Sequence, residues 1–136
     1  MTNLYKQTLV KQIVGVDYDF PTASDLSALQ YTFVALDGDE LVVTCPSGAA
    51  PLGILQNAPV GTATKLAYAT VRLAGFSKLV LAGTVVTTLP WIKPNTSGGT
   101  GIACTTDKDC YGAVAKSGGV SGDLILVEVS TGLYTV

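Results

Sequence analysis

No histidine occurs anywhere in the 136 residues. That removes the commonest general base, the commonest zinc ligand and the usual partner of a serine or cysteine nucleophile. Of the side chains that could still do chemistry, Cys104 and Cys110 enclose Asp107, Lys108 and Asp109. Structural metal pairs prefer two to four intervening residues and a second pair, and Cys45 alone cannot supply one. The three cysteines, an odd number without framework spacing, therefore read as small apolar side chains carrying free thiols. Asp37-Gly38-Asp39-Glu40 looks like half a calcium loop, but it lacks the alternating oxygen ligands and the terminal bidentate glutamate. Its spacing suits a hairpin turn. Asp17 and Asp19 flank Tyr18 with nothing in the pattern to fix their separation, so they read as a solvated face. Ser97-Gly98-Gly99-Thr100-Gly101 lacks the Lys-Ser/Thr ending and the helix of a phosphate loop, and reads as a linker. The residues thus predict no catalytic centre, no metal site and no cofactor.

Composition narrows the class further. Hydrophobic residues make up 48% of the chain and charged ones only 13%, the latter about half the usual share for a soluble domain. No apolar run reaches the roughly 18 to 20 residues of a membrane helix. The net charge is −2 and the eight lysines and arginines are scattered singly. A nucleic-acid-binding domain normally carries a basic patch, so neither nucleic acid nor membrane is an expected partner. The opening residues do not read as a signal peptide, and with the cysteine pattern this suggests a reducing, cytosolic origin. Scarce charge also implies that part of the surface is covered by copies of the chain or by another protein.

The elements that must position these side chains read as strands. Two segments, Leu52 to Val71 and Tyr111 to Val129, are loose copies of one unit: a glycine, a short apolar strand, a turn bearing glycine or proline, and a second apolar strand. Each is predicted to be a β-hairpin with a slack turn. Tyr31 to Leu36 and Glu40 to Cys45 form another hairpin around Asp37-Gly38-Asp39. Arg72 to Leu81 is a strand pair or one long strand bent at Ala74-Gly75, and the β-branched run Gly83 to Leu89 is predicted to be a strand. Short strands separated by Gly/Pro turns, with no helix longer than two turns, predict an all-β fold, a small β-sandwich or β-barrel.

Residues 1–24 read as an extended N-terminal arm and residues 25–136 as a single β domain. In the arm, Leu4, Tyr5, Leu9, Val10, Ile13 and Val14 lack the strict alternation of a core strand. They fit either a docking arm or an edge strand folded back on its own domain. Trp91, the one tryptophan, lies with Ile92 in a stretch that Pro90 and Pro94 hold extended. An aromatic there anchors an interface or caps the end of a core.

Three strings carry a family likeness. Asp25-Leu26-Ser27-Ala28-Leu29-Gln30-Tyr31-Thr32-Phe33-Val34-Ala35-Leu36, then Leu52-Gly53-Ile54-Leu55-Gln56-Asn57-Ala58-Pro59-Val60-Gly61, then Tyr111-Gly112-Ala113-Val114, resemble the head decoration, or capsid cement, proteins of tailed bacteriophages. The likeness spans residues 25 to about 130; the arm before Asp25 and the loop from Pro90 to Gly101 depart from it. It implies a compact β domain that binds the outer surface of an icosahedral capsid and staples neighbouring subunits of the major capsid protein, without being an enzyme. It also implies a homo-oligomer, a trimer ahead of a dimer, made in the host cytoplasm and carried on the virion. The arm residues named above, with Trp91 and Ile92, are the expected partner interface. The rival expectation is a receptor- or carbohydrate-binding β module of a phage tail or fibre, against which the single tryptophan counts. A small hydrolase would require a nucleophile and base that the sequence does not offer.

Overall fold

The computed structural model describes residues 15–95 and 98–136, so the expectations on Leu4, Tyr5, Leu9, Val10, Ile13 and Val14 lie outside the described residues. Among the described residues the chain is all-β. Its strands are β1 (Gly15–Thr22), β2 (Phe33–Leu36), β3 (Val42–Thr44), β4 (Gly53–Leu55), β5 (Ala67–Val80), β6 (Trp91–Pro94), β7 (Gly101–Ala103), β8 (Cys110–Ala115) and β9 (Leu124–Leu133). They form one curled antiparallel sheet in the order β3-β2-β4-β5-β9-β8-β6-β7, with β1 added against β5.

Both copies of the repeated unit fold as hairpins. In the first, β4 pairs with β5 through Ile54↔Arg72 and Leu55↔Val71. In the second, β8 pairs with β9 through Ala113↔Val129, Val114↔Glu128 and Ala115↔Val127. The glycine opening each copy has a packing reason. A Cβ on Gly53 would meet the Arg72 carbonyl oxygen at 2.2 Å, and one on Gly112 would meet Pro51 Cγ at 2.3 Å and the Phe33 ring at 2.7 Å. Only a residue without a side chain lets these backbones approach so closely.

β5 is a single bent strand. Its first half pairs with β1 and β4 and its second half with β9, and Gly75, at φ 93°, sits where the two halves meet. Strand alternation then builds two cores, because successive side chains point to opposite faces. Phe33, Ile54, Leu79, Ile92, Ala113, Ile125 and Val127 belong to one, and Leu26, Val34, Leu55, Ala69 and Val71 to the other. Neighbours Phe33 and Val34, or Ile54 and Leu55, therefore serve different cores from one short strand. Burying each such aliphatic side chain contributes about 1.5–3 kcal/mol. Ser77 of β5 is buried as well, and its hydroxyl accepts a hydrogen bond from the Gln56 side-chain amide at 2.9 Å.

Three segments differ from what the sequence suggests. Residues 15–22, placed within the arm and read as either docking or an edge strand folded back on the domain, form a strand of the sheet. They lie against β5 from Gly15↔Gly75 to Thr22↔Ala67, and the buried Thr22 hydroxyl donates to the Val42 carbonyl at 2.8 Å. The run from Gly83 to Leu89 is not a strand. Its contacts are the isolated bridges Val85↔Gly119 and Val86↔Leu89, because a tight turn from Val86 to Leu89 breaks the run despite its β-branched composition. In the hairpin after β2 the left-handed residue is Glu40, at φ 62°, one place beyond the Asp37-Gly38-Asp39 turn expected from the sequence. The Asp37 carboxylate shapes that turn by accepting from the Asp39 and Leu41 backbone amides at 2.9 and 3.0 Å.

Candidate functional site

Adjacency of β6, β8 and β9 brings together aromatic residues far apart in sequence. β6 pairs with β8 through Trp91↔Val114, and β8 pairs with β9 through Tyr111↔Gly132. Beyond Leu133 the chain stays extended beside the loop before β8, where the Tyr134 amide donates to the Asp109 carbonyl at 2.8 Å and the Lys108 amide donates to the Tyr134 carbonyl at 2.6 Å. Trp91 and Tyr134 face each other with ring centroids 5.6 Å apart and planes inclined at 53°. With Tyr111, Leu133 and Thr135 they line an open pocket of about 210 Å³.

The loop holding Tyr134 is itself held by one carboxylate. Asp109 Oδ2 accepts from Lys93 Nζ at 2.8 Å and from the Thr106 and Thr105 amides at 3.0 and 3.2 Å. The Lys93 hydrogen bond, with help from those amides, holds the Asp109 carboxyl below the usual carboxylate range. Lys108 in the same loop is left-handed at φ 68°. A second pocket, of about 130 Å³, is lined by Ser47, Gly48, Lys93, Lys108, Asp109 and Cys110.

All three cysteines are free thiols, Cys45 and Cys104 buried and Cys110 half-buried. Burial pushes Cys45 and Cys104 each up to about 11, which suits packing and not nucleophilic attack. Among the described residues no group of three or more His, Cys, Asp or Glu side chains comes together to hold a metal ion.

Of the two partner residues expected on β6, the structure separates one from the other. Trp91 is half-buried at the pocket, whereas Ile92 is wholly buried in the larger core and offers no side chain to a partner. Alternation along the strand is the reason: once Trp91 faces outward, its neighbour must face in. Tyr111 and Tyr134 are the site residues that sequence reasoning missed. The hairpin itself carried the signal, since Tyr111 opens the first strand of the second copy and must return opposite the end of the second strand.

A second surface lies around β1. Asp17 pairs with Arg72 in a two-pronged ion pair at 2.7 and 2.9 Å, and Asp19 accepts from the Thr70 hydroxyl at 2.6 Å. The carboxylates flanking Tyr18 are therefore engaged by β5. Tyr18 is 60% exposed, Tyr68 67% and Val16 53%, so large apolar side chains stand in solvent along this strand pair.

No family model matches this sequence, and no curated protein matches it. A solved structure does match in fold: the N base of the head fibre gp8.5 of bacteriophage phi29. The likeness covers 89% of this chain and 100% of that one, with a TM-score of 0.67 at 10% sequence identity. The curled sheet is thus an architecture shared with a phage head-fibre base.

Proposed function

We propose that this protein is a non-catalytic structural component of a phage virion, which binds the outer surface of the icosahedral head and ties neighbouring major capsid protein subunits together. One observation carries the reading: a fold likeness that takes in the whole of a head-fibre base and nearly nine-tenths of this chain. Low charge and the exposed apolar side chains of β1 and β5 agree with a surface that is covered in the working particle. Such a protein works as a homo-oligomer, a trimer ahead of a dimer, and needs no cofactor. The apolar residues Leu4, Tyr5, Leu9, Val10, Ile13 and Val14 are the proposed capsid-docking element. Repetition over a lattice multiplies a weak contact into firm attachment.

The named neighbour favours a second reading, in which the chain is the base of a head fibre rather than a cement. Adding purified protein to expanded heads of its own phage separates the two. A cement binds at hundreds of copies and raises the temperature at which the heads rupture; a fibre base binds and leaves that temperature unchanged. Failure to bind heads at all would overturn both.

A further inference from the structure

The pocket between β6, β8 and the segment after β9 combines flat aromatic faces with uncharged polar groups. None of its lining residues Trp91, Tyr111, Leu133, Tyr134 and Thr135 is charged. Their side chains offer an indole N–H, two phenol hydroxyls and a threonine hydroxyl, which no hydrogen bond among the described residues engages and none of which is buried without a partner. The backbone of Tyr134, by contrast, is spent, its amide on Asp109 and its carbonyl on Lys108. Trp91 and Tyr134 meet at 53° with centroids 5.6 Å apart, so the rings are tilted against one another and not stacked face to face.

That lining selects among ligands. An anion finds no cation in the pocket wall; of the lysines nearby, Lys93 is paired with Asp109 and Lys108 lines the neighbouring pocket. An extended peptide needs free backbone donors and acceptors along the groove, and those of Tyr134 are taken. A proline-rich peptide would cover the rings and offer its carbonyls to the indole N–H and the hydroxyls, but with no N–H at proline it would leave the acceptor lone pairs of those hydroxyls unused. A sugar ring uses both features, because its C–H face packs on an aromatic plane while its hydroxyls hydrogen-bond uncharged donors and acceptors at the rim. We propose that this pocket is a binding site for a pyranose ring of a neutral glycan, with Trp91 and Tyr134 as the stacking platform and Tyr111 and Thr135 as polar contacts. Convergence of two tyrosines on Trp91 removes the objection that a single tryptophan is too little aromatic surface. The inference does not rest on the capsid reading.

Because Trp91 is the one tryptophan in the chain, its fluorescence reports on this pocket alone. The full-length protein is titrated with maltotriose, cellotriose, chitotriose and a rhamnose trisaccharide, alongside sialyllactose as an anionic sugar and a proline decapeptide. At least one neutral sugar is expected to shift Trp91 emission saturably, with a dissociation constant on the order of 1 mM, as befits one or two rings in a shallow site. Tyr134→Ala should weaken that binding about tenfold and Tyr134→Phe about threefold, whereas Tyr68→Ala, on the far strand pair, leaves it unchanged. Far-ultraviolet circular dichroism of each variant establishes that the sheet is intact; a Tyr134→Ala protein that fails this check is replaced by Tyr134→Phe, whose ring keeps the packing. The proposal is overturned if no neutral sugar gives a saturable shift, if only sialyllactose or the peptide does, or if binding survives loss of the Tyr134 ring.

Discussion

Tyr111 lies against Gly132 on the neighbouring strand, so that a methyl group on Gly132 would fall 2.6 Å from the tyrosine hydroxyl oxygen and 2.8 Å from its ring. This cross-strand pair fixes one wall of the aromatic pocket, and only glycine leaves room for the ring. Gly132→Ala should push Tyr111 aside without unfolding the hairpin, because the atoms it meets are the far end of a side chain that can swing. The expected cost is about 1 kcal/mol, near the low end for an overpacked site, read as a lowered urea midpoint with unchanged slope. Trp91 emission should shift with it. A midpoint equal to that of the parent would show that the pair has slack.

The anchoring of β1 gives a second expectation. Asp17 and Arg72 are held together by two hydrogen bonds but remain partly exposed, and such pairs are generally worth about 0–1 kcal/mol. Asp17→Asn should therefore move the thermal midpoint little. Removing the strand is a different matter, since Phe20 packs on the second core and the buried Thr22 hydroxyl satisfies Val42. Deleting residues 2–14 should weaken head binding, whereas extending the deletion to residues 2–22 should lower the midpoint by several further degrees or unfold the domain. Differential scanning calorimetry of the two truncations decides this, and equal midpoints would mean that β1 contributes nothing to the fold.

These contrasts show what the sequence could and could not convey. Hairpins were legible, because glycine and proline at the turns and aliphatic residues beside them act locally; both copies of the unit and the β2–β3 turn follow that logic. The pocket was not legible as a site. Trp91, Tyr111 and Tyr134 belong to three separate segments, and only the order β9-β8-β6 makes them neighbours. Strand membership of residues 15–22 was legible only as the edge-strand alternative for the arm, since a bulge between Val16 and Asp17 breaks the alternation and Tyr18, on the same face as Phe20 with ring centroids 6.3 Å apart, is 60% exposed. Gly83 to Leu89 shows the opposite failure, in which β-branched composition suggested a strand that a local turn replaced.

Thiol chemistry follows burial. Cys45 and Cys104 are buried with thiols raised to about 11, so at pH 8 only about one in a thousand of each is thiolate, and that fraction is shielded. Iodoacetamide should label native protein chiefly at half-buried Cys110, with Cys45 and Cys104 reacting only once urea unfolds the chain. Mass spectrometry of labelled peptides reads the order directly, and equal native labelling at all three positions would contradict the packing.

Asp109 makes the aromatic pocket acid-sensitive. Its carboxyl is depressed by Lys93 and by the Thr106 and Thr105 amides, so it contributes stability that is fully present above the ordinary aspartate value of about 3.9 and is lost as pH falls through the lower folded value. Once the pH falls through that lowered folded value, protonation weakens the hold on residues 105–109, and with it the backbone bonds by which Lys108 and Asp109 position Tyr134 against Trp91. Trp91 emission should therefore report a local opening on acidification while far-ultraviolet dichroism still reports an intact sheet. In Asp109→Asn the amide oxygen can still accept from the Thr105 and Thr106 amides, but the charge that binds Lys93 is gone. That variant should show the opened emission already at pH 7 and little further change in acid; if instead it retains the parent's acid transition, another carboxylate governs the opening.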